Sequence, residues 1–160
     1  MKVLSVLFSI ILVALSFGCT KKTAKNTALA FSDPAIFDSC SRPNRSYYKN
    51  DPTTLLSGAA GPHGNFKLRF NATAFNALTQ SGKLPAGKQM PDGGLVIKDI
   101  YQGGNVALYA YMYKVSGTWL WGEIKTNGQV LYSVNMDPGV CVDCHRQAGN
   151  RDLLLSFNFY

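Results

Sequence analysis

Residues 95 to 134 constrain the fold more than any other part of the chain. Three β-prone runs, 95–101, 106–115 and 118–125, are separated by Gly103-Gly104-Asn105 and by Ser116-Gly117, and a fourth, 129–134, follows Asn127-Gly128. Links this short permit only antiparallel hairpins, because a parallel return needs a crossover of a dozen or more residues. Alternation along the second run puts Tyr109, Tyr111 and Tyr113 on one face, and the third run does the same for Trp119 and Trp121. Upstream, Phe66-Lys67-Leu68-Arg69-Phe70 alternates apolar and basic residues, the pattern of a half-buried strand. Asn71 is placed to cap a short helix over 72–80, with Phe75 and Leu78 facing inward and Gly82 as its stop. A last strand is predicted over 153–160. The expectation is an α+β fold, mainly β: an antiparallel meander with a few short helices. Aromatic residues make up 12% of the chain, enough to line a pocket, although most such rings are core in any fold.

Residues 31–65 are rich in Pro, Ser, Asn, Asp and Gly and read as irregular chain with one or two short helices. Asp33-Pro34 opens such a helix, with Asp33 as its cap. At 160 residues the chain is too short for two ordinary domains. Its start has the order of an export signal: Lys2, an apolar run to Phe17, then Gly18-Cys19 and two lysines. The run is short for a membrane span. Leu15-Ser16-Phe17-Gly18-Cys19 resembles a bacterial lipobox, with Ser16 standing where an aliphatic residue is usual. The reading is a signal over 1–18, a tether over 19–30 lipidated at Cys19, and one domain over 31–160 facing the periplasm of a bacterial envelope. Plain secretion and an uncleaved anchor are the alternatives. The formal charge of +7 lacks the basic run interleaved with aromatics that nucleic acid would call for.

Four cysteines in an exported chain suggest disulfides, but the spacing of two points elsewhere. Cys141-Val142-Asp143-Cys144-His145 is C-x-x-C-H, the attachment pattern of haem c. Two thiols must reach the two vinyl groups of one porphyrin, and the adjacent imidazole must meet the iron from the same side. A redox dithiol would use C-x-x-C in a βαβ setting, which is missing here. Zinc would need a further pair, and only Cys40 and His63 remain. Cys40 is read as a buried free thiol. No Met or His follows His145, so a sixth ligand would have to come from His63, Met90, Met112, Met136 or a lysine upstream. Each of these is more often a core or loop residue than a ligand, so the reading favours an iron open on its distal side, suited to a small molecule.

With these motifs in place, the chain resembles the cytochrome P-460 and cytochrome c′-beta family over residues 61–160. The resemblance is carried by "PHGNFKLRFN", "TAFNALTQSGK", "PDGGLVIKDIY", "GTWLW", "CVDCHRQAGNRD" and "LLLSFNFY". It implies a β-rich c-haem protein, often dimeric, with a vacant distal site. In some members a lysine is bonded to the porphyrin edge, and the matching position is Lys98. Periodicity leaves open whether Lys98 or its neighbour Asp99 faces the haem. Hydroxylamine-oxidising members have a distal glutamate as proton acceptor and a distal arginine. The resemblance aligns Ala110 with the first and Phe66 with the second; Arg69 is near but on the opposite face, and the sole glutamate, Glu123, falls after the tryptophans. A missing base forfeits about 10²–10⁴-fold in rate. Apolar distal residues are instead similar to the gas-binding branch, which favours NO over anions.

The sequence therefore predicts an exported mono-haem c-type cytochrome that binds or converts NO, hydroxylamine or peroxide, with a redox-partner cytochrome and a membrane lipid anchor; a homodimer is what the resemblance implies. The competing readings are a six-coordinate electron carrier, with His63 or a methionine on the iron, and a non-haem binding lipoprotein with Cys141 and Cys144 as a disulfide.

Overall fold

The computed structural model describes residues 32–57 and 62–154. The export signal, Cys19 and the tether lie outside the described residues. In chain order the elements are α1 (Asp33–Ser41), β1 (Ser46–Tyr47), a 3₁₀ turn (Tyr48–Asn50), β2 (Leu56–Ser57), β3 (Asn65–Phe70) and α2 (Ala72–Asn76). Then come β4 (Leu95–Gln102), β5 (Asn105–Val115), β6 (Thr118–Lys125), β7 (Val130–Tyr132) and α3 (Gly139–His145). The described strands form one antiparallel sheet in the order β1-β3-β4-β5-β6-β7, with β2 beside β1 on the outer edge of β3. The α+β meander expected from the hairpin spacing is therefore the fold.

The turns carry the reason. Gly103 and Gly104 both have positive φ, as do Ser116 and Gly117, the pairing a two-residue hairpin turn requires. At Asn127-Gly128 only Gly128 is left-handed, and Gly128 N–H donates to Lys125 O, so this hairpin closes through a longer loop. The predicted run 129–134 is correspondingly reduced to β7. Gly122 inside β6 has a different cause. A Cβ there would lie 2.1 Å from the Tyr111 hydroxyl, which crosses from the paired position on β5.

Strict alternation gives the sheet two faces. Ile97, Asp99, Tyr111, Tyr113 and Ile124 turn to one side, where α1 covers them with Ile36 and Cys40. The buried pair Arg69–Asp99 lies on this side, with Nε–Oδ2 at 2.5 Å and Nη2–Oδ1 at 2.6 Å. Cys40 is a free thiol whose pKa burial pushes up to about 12. The other face carries Phe66, Leu68, Val96, Met112 and Trp121, covered by α2, the 77–92 segment and α3.

Three local expectations change. Asp33 is the first residue of α1, after Ser32 at the cap position, and its carboxylate reaches across to Tyr111 Oη, Ser133 Oγ and Val134 N–H. Tertiary partners outcompeted the local cap. Asn71 does cap α2, accepting from Ala74 N–H at 2.9 Å, but the helix ends at Asn76 rather than at 80. Ala77 and Leu78 donate three residues back, tightening the last turn before the loop closed at Gly82. Leu153 and Leu154 lie in a turn bridged to Arg151, and the rest of the predicted strand 153–160 lies outside the described residues.

Candidate functional site

α3 puts the chemistry on one face. Residues three and four apart share a helix face, so Cys141, Cys144 and His145 stand together. Both thiols are free and part-exposed, and no disulfide joins them. His145 is buried and is fixed from behind: its Nδ1 lies 2.7 Å from the Leu153 carbonyl. That contact makes Nδ1 the protonated nitrogen and leaves the Nε2 lone pair available as a ligand. The Trp121 ring meets the imidazole edge to face at 4.7 Å.

The turn holding Leu153 is strained and well anchored. Asp152 and Leu153 have φ of +50° and +63°, a region that costs a non-glycine residue about 1–3 kcal/mol. Lys114, on β5, meets the Asp152 carboxylate at 2.8 and 3.0 Å.

All three side chains face a cavity of about 280 Å³ between α3 and the sheet, at the lower end of small-molecule sites. Register decides which sheet residues line it. Leu68, Lys98, Ala110 and Glu123 stand side by side across β3, β4, β5 and β6, and Val96, Met112 and Trp121 form the next row. Phe66 and His63 also line the wall. The ambiguity between Lys98 and Asp99 is thereby settled: Lys98 faces the cavity with its Nζ 4.6 Å from the Phe66 ring centroid, and Asp99 faces Arg69. Of the methionines, Met112 lines the cavity. Met90 is buried beneath Gly94 and Met136 is exposed, and neither lines it.

Glu123 follows the tryptophans in sequence, and the resemblance aligns Ala110 with the family's distal glutamate. Glu123 and Ala110 are direct partners on adjacent strands, and the small Ala110 leaves the space over the sheet to its long neighbours. Glu123 lines the cavity, with Oε1 3.5 Å from His63 Nδ1. A carboxylate therefore lines the cavity beside Ala110. The signal that could have found it was the antiparallel register of β5 and β6, readable from the Ser116-Gly117 turn.

The electrostatics agree with a poorly hydrated site. Burial lowers the Lys98 pKa to about 8, an effect that Cys144 and Glu123 partly oppose. Burial, then Lys98 and His145, lowers His63 to about 4. Burial also lowers His145 to about 4 and raises Glu123, the latter against the pull of Lys98. Each group is driven toward its neutral form, as a low-dielectric cavity dictates. Cys141 moves the same way: burial, then Glu123, raises its thiol pKa, the reverse of an activated redox cysteine. Among the described residues no three His, Cys, Asp or Glu side chains converge as a metal-binding cluster, so a zinc site is not formed by these.

No family model matches the chain, and neither a curated protein nor a solved structure does.

Proposed function

We propose that the chain is an exported, lipid-anchored c-type cytochrome whose single haem occupies the cavity between α3 and the sheet and offers its distal side to a small nitrogenous ligand. One observation carries this reading. Cys141, Cys144 and His145 share a helix face, and the bond from His145 Nδ1 to Leu153 leaves only Nε2 to meet a metal. The donor set fits the group: two free sulfurs for thioether bonds, one correctly protonated imidazole, and largely apolar walls.

When bound, the haem supplies a redox-active iron. The chain's own residues do the rest. Cys141 and Cys144 would hold the macrocycle, and His145 would orient it. Phe66, Ala110 and Met112 give the cavity apolar wall, which disfavours water and favours a small neutral ligand. Lys98 stands on the wall as the residue that would form a porphyrin cross-link, a C–N bond made with loss of an N–H and a ring C–H hydrogen and needing a two-electron oxidant such as peroxide. Glu123, with His63 beside it, takes up a proton from a protic ligand: the ligand N–H or O–H bond breaks, its electron pair stays on the ligand, and the proton goes to the carboxylate. This favours hydroxylamine or a related N–O compound over NO alone as a substrate, with a periplasmic redox partner as electron acceptor.

His63 and Met112 line the same cavity, so a six-coordinate electron carrier is the second reading. One experiment separates the readings. The full chain is expressed with cytochrome c maturation machinery, stained for haem after denaturing electrophoresis, and its reduced spectrum is recorded with carbon monoxide, NO and hydroxylamine. Covalent haem and a spectrum shifted by carbon monoxide are expected. In Glu123→Gln, hydroxylamine oxidation should fall about 100-fold while NO binding persists. Protein without covalent haem, or a low-spin reduced spectrum that carbon monoxide leaves unchanged, refutes the proposal.

A further inference from the structure

The carbonyl that holds His145 belongs to a segment anchored at every residue from 150 to 154. Asn150 Nδ2 donates to His145 O at 2.8 Å, and Arg151 Nη1 donates to Leu84 O. Asp152 makes contacts in three directions: its carboxylate pairs with Lys114 Nζ and accepts Met90 N–H at 2.8 Å, and its carbonyl accepts Trp119 Nε1–H at 2.9 Å. Leu153 O meets His145 Nδ1, and Leu154 is buried in the core. Lys114 and Trp119 are themselves cross-strand partners on β5 and β6, with Nζ 4.8 Å from the indole ring.

Two features distinguish this from ordinary packing. The Lys114 and Asp152 side chains are 2% and 10% exposed, and a buried ion pair rarely adds stability over an apolar pair of the same volume. What such a pair does supply is a fixed position. The backbone it fixes is the consecutive left-handed pair Asp152-Leu153, and observed strain of this kind points to a functional constraint.

We infer that Lys114, Asp152 and Trp119 form a positioning clamp that aims the Leu153 carbonyl at His145, setting the orientation and donor strength of the imidazole. The inference rests on the reading of His145 as the iron ligand. An imidazole whose Nδ1–H is held by a carbonyl is a more basic donor at Nε2, and loss of such a supporting partner typically costs about 10-fold or more in metal affinity or activity. Lys114, Trp119 and Asp152 do not line the cavity; the segment they hold reaches it through Leu154 and through the bond to His145.

Asp152→Asn tests this. It keeps the side-chain volume and an acceptor for Met90 N–H but removes the charge that holds Lys114. In the haem-loaded full chain, the iron–histidine stretching band is expected to fall in frequency, the reduction potential to rise, and the carbon monoxide dissociation rate to change by about 10-fold, with covalent haem retained. In the haem-free full chain, nitrogen-15 NMR should show a protected His145 Nδ1 proton that exchanges about 10-fold faster in the variant. If Asp152→Asn does not fold, Trp119→Phe removes the indole donor while keeping one aromatic ring at the site, and the same shifts are expected at smaller size. Lys114→Arg alone, which keeps the charge opposite Asp152, should leave the band, the potential and the proton exchange near wild type. A folded Asp152→Asn or Trp119→Phe variant with an unchanged band, potential and proton exchange overturns the clamp. A wild type that holds covalent haem without a histidine ligand overturns the reading of His145, while the NMR arm still decides the clamp geometry.

Discussion

Consider the replacement of Asp99 by alanine. Arg69 and Asp99 are buried on the α1 side of the sheet, with side chains 5% and 6% exposed. The guanidinium would lose both carboxylate contacts and keep the carbonyls of Cys40 at 2.8 Å and Arg42 at 2.9 Å and the Tyr109 ring, 5.7 Å from its Cζ. Removing one partner of a buried pair costs about 3–5 kcal/mol, because the other charge stays buried without compensation. The two surviving carbonyls place this site at the low end, about 3 kcal/mol. At about 2–4 °C per kcal/mol for a domain near this size, the melting temperature should drop by about 10 °C. The double change Arg69→Met with Asp99→Leu removes both charges and should return to within about 1–2 kcal/mol of wild type. Urea denaturation of the haem-loaded chain measures all three, and carbon monoxide binding measured alongside should be unaffected, because the pair faces away from the cavity. A single variant costing under about 1 kcal/mol, or a double variant worse than the single one, refutes the energetic argument. A change of about 10-fold in ligand binding with haem intact refutes the separation of the two faces and returns Arg69 to the distal site.

Two further outcomes follow from the cavity. With its pKa lowered to about 8, roughly a tenth of Lys98 is free amine at pH 7; on the proposed haem reading Lys98→Leu should change the haem absorption spectrum, and an unaltered spectrum reduces Lys98 to a wall cation. His63 is lowered to about 4, so between pH 6.5 and 4 the unfolded chain takes up a proton that the folded one refuses; stability falls with pH across that window, by up to about 3 kcal/mol. Glu123, raised by burial, works the other way, so His63→Asn should flatten the acid limb of a urea-denaturation series, and an unchanged limb would falsify the assignment.

Much of this was legible in the residue order. Short turn dipeptides leave only hairpins, so the β4–β5–β6 meander followed from spacing. Asn71 announced a helix start because its side chain satisfies a donor within three residues. The grouping of Cys141, Cys144 and His145 is equally local, since one helix turn brings them together. Periodicity also put Arg69 opposite Phe66, and the pair with Asp99 shows what that opposite face is for.

What the residue order left open depends on which distant segment packs where. Alternation divides β4 into two faces but does not label them, and Lys98 and Asp99 were told apart only when α1 and α3 covered opposite sides. The place of Glu123 on the wall was hidden for a related reason: position along the chain measures linear separation, whereas the cavity wall is a row running across four strands. Asp33 left its cap and Asp152 found Lys114 through partners 100 and 38 residues away. Hydrogen bonds within a turn or a helix are set by neighbours in sequence and can be read there. Contacts that bury charge at long range exist only once the sheet has closed, and those contacts decide the candidate site.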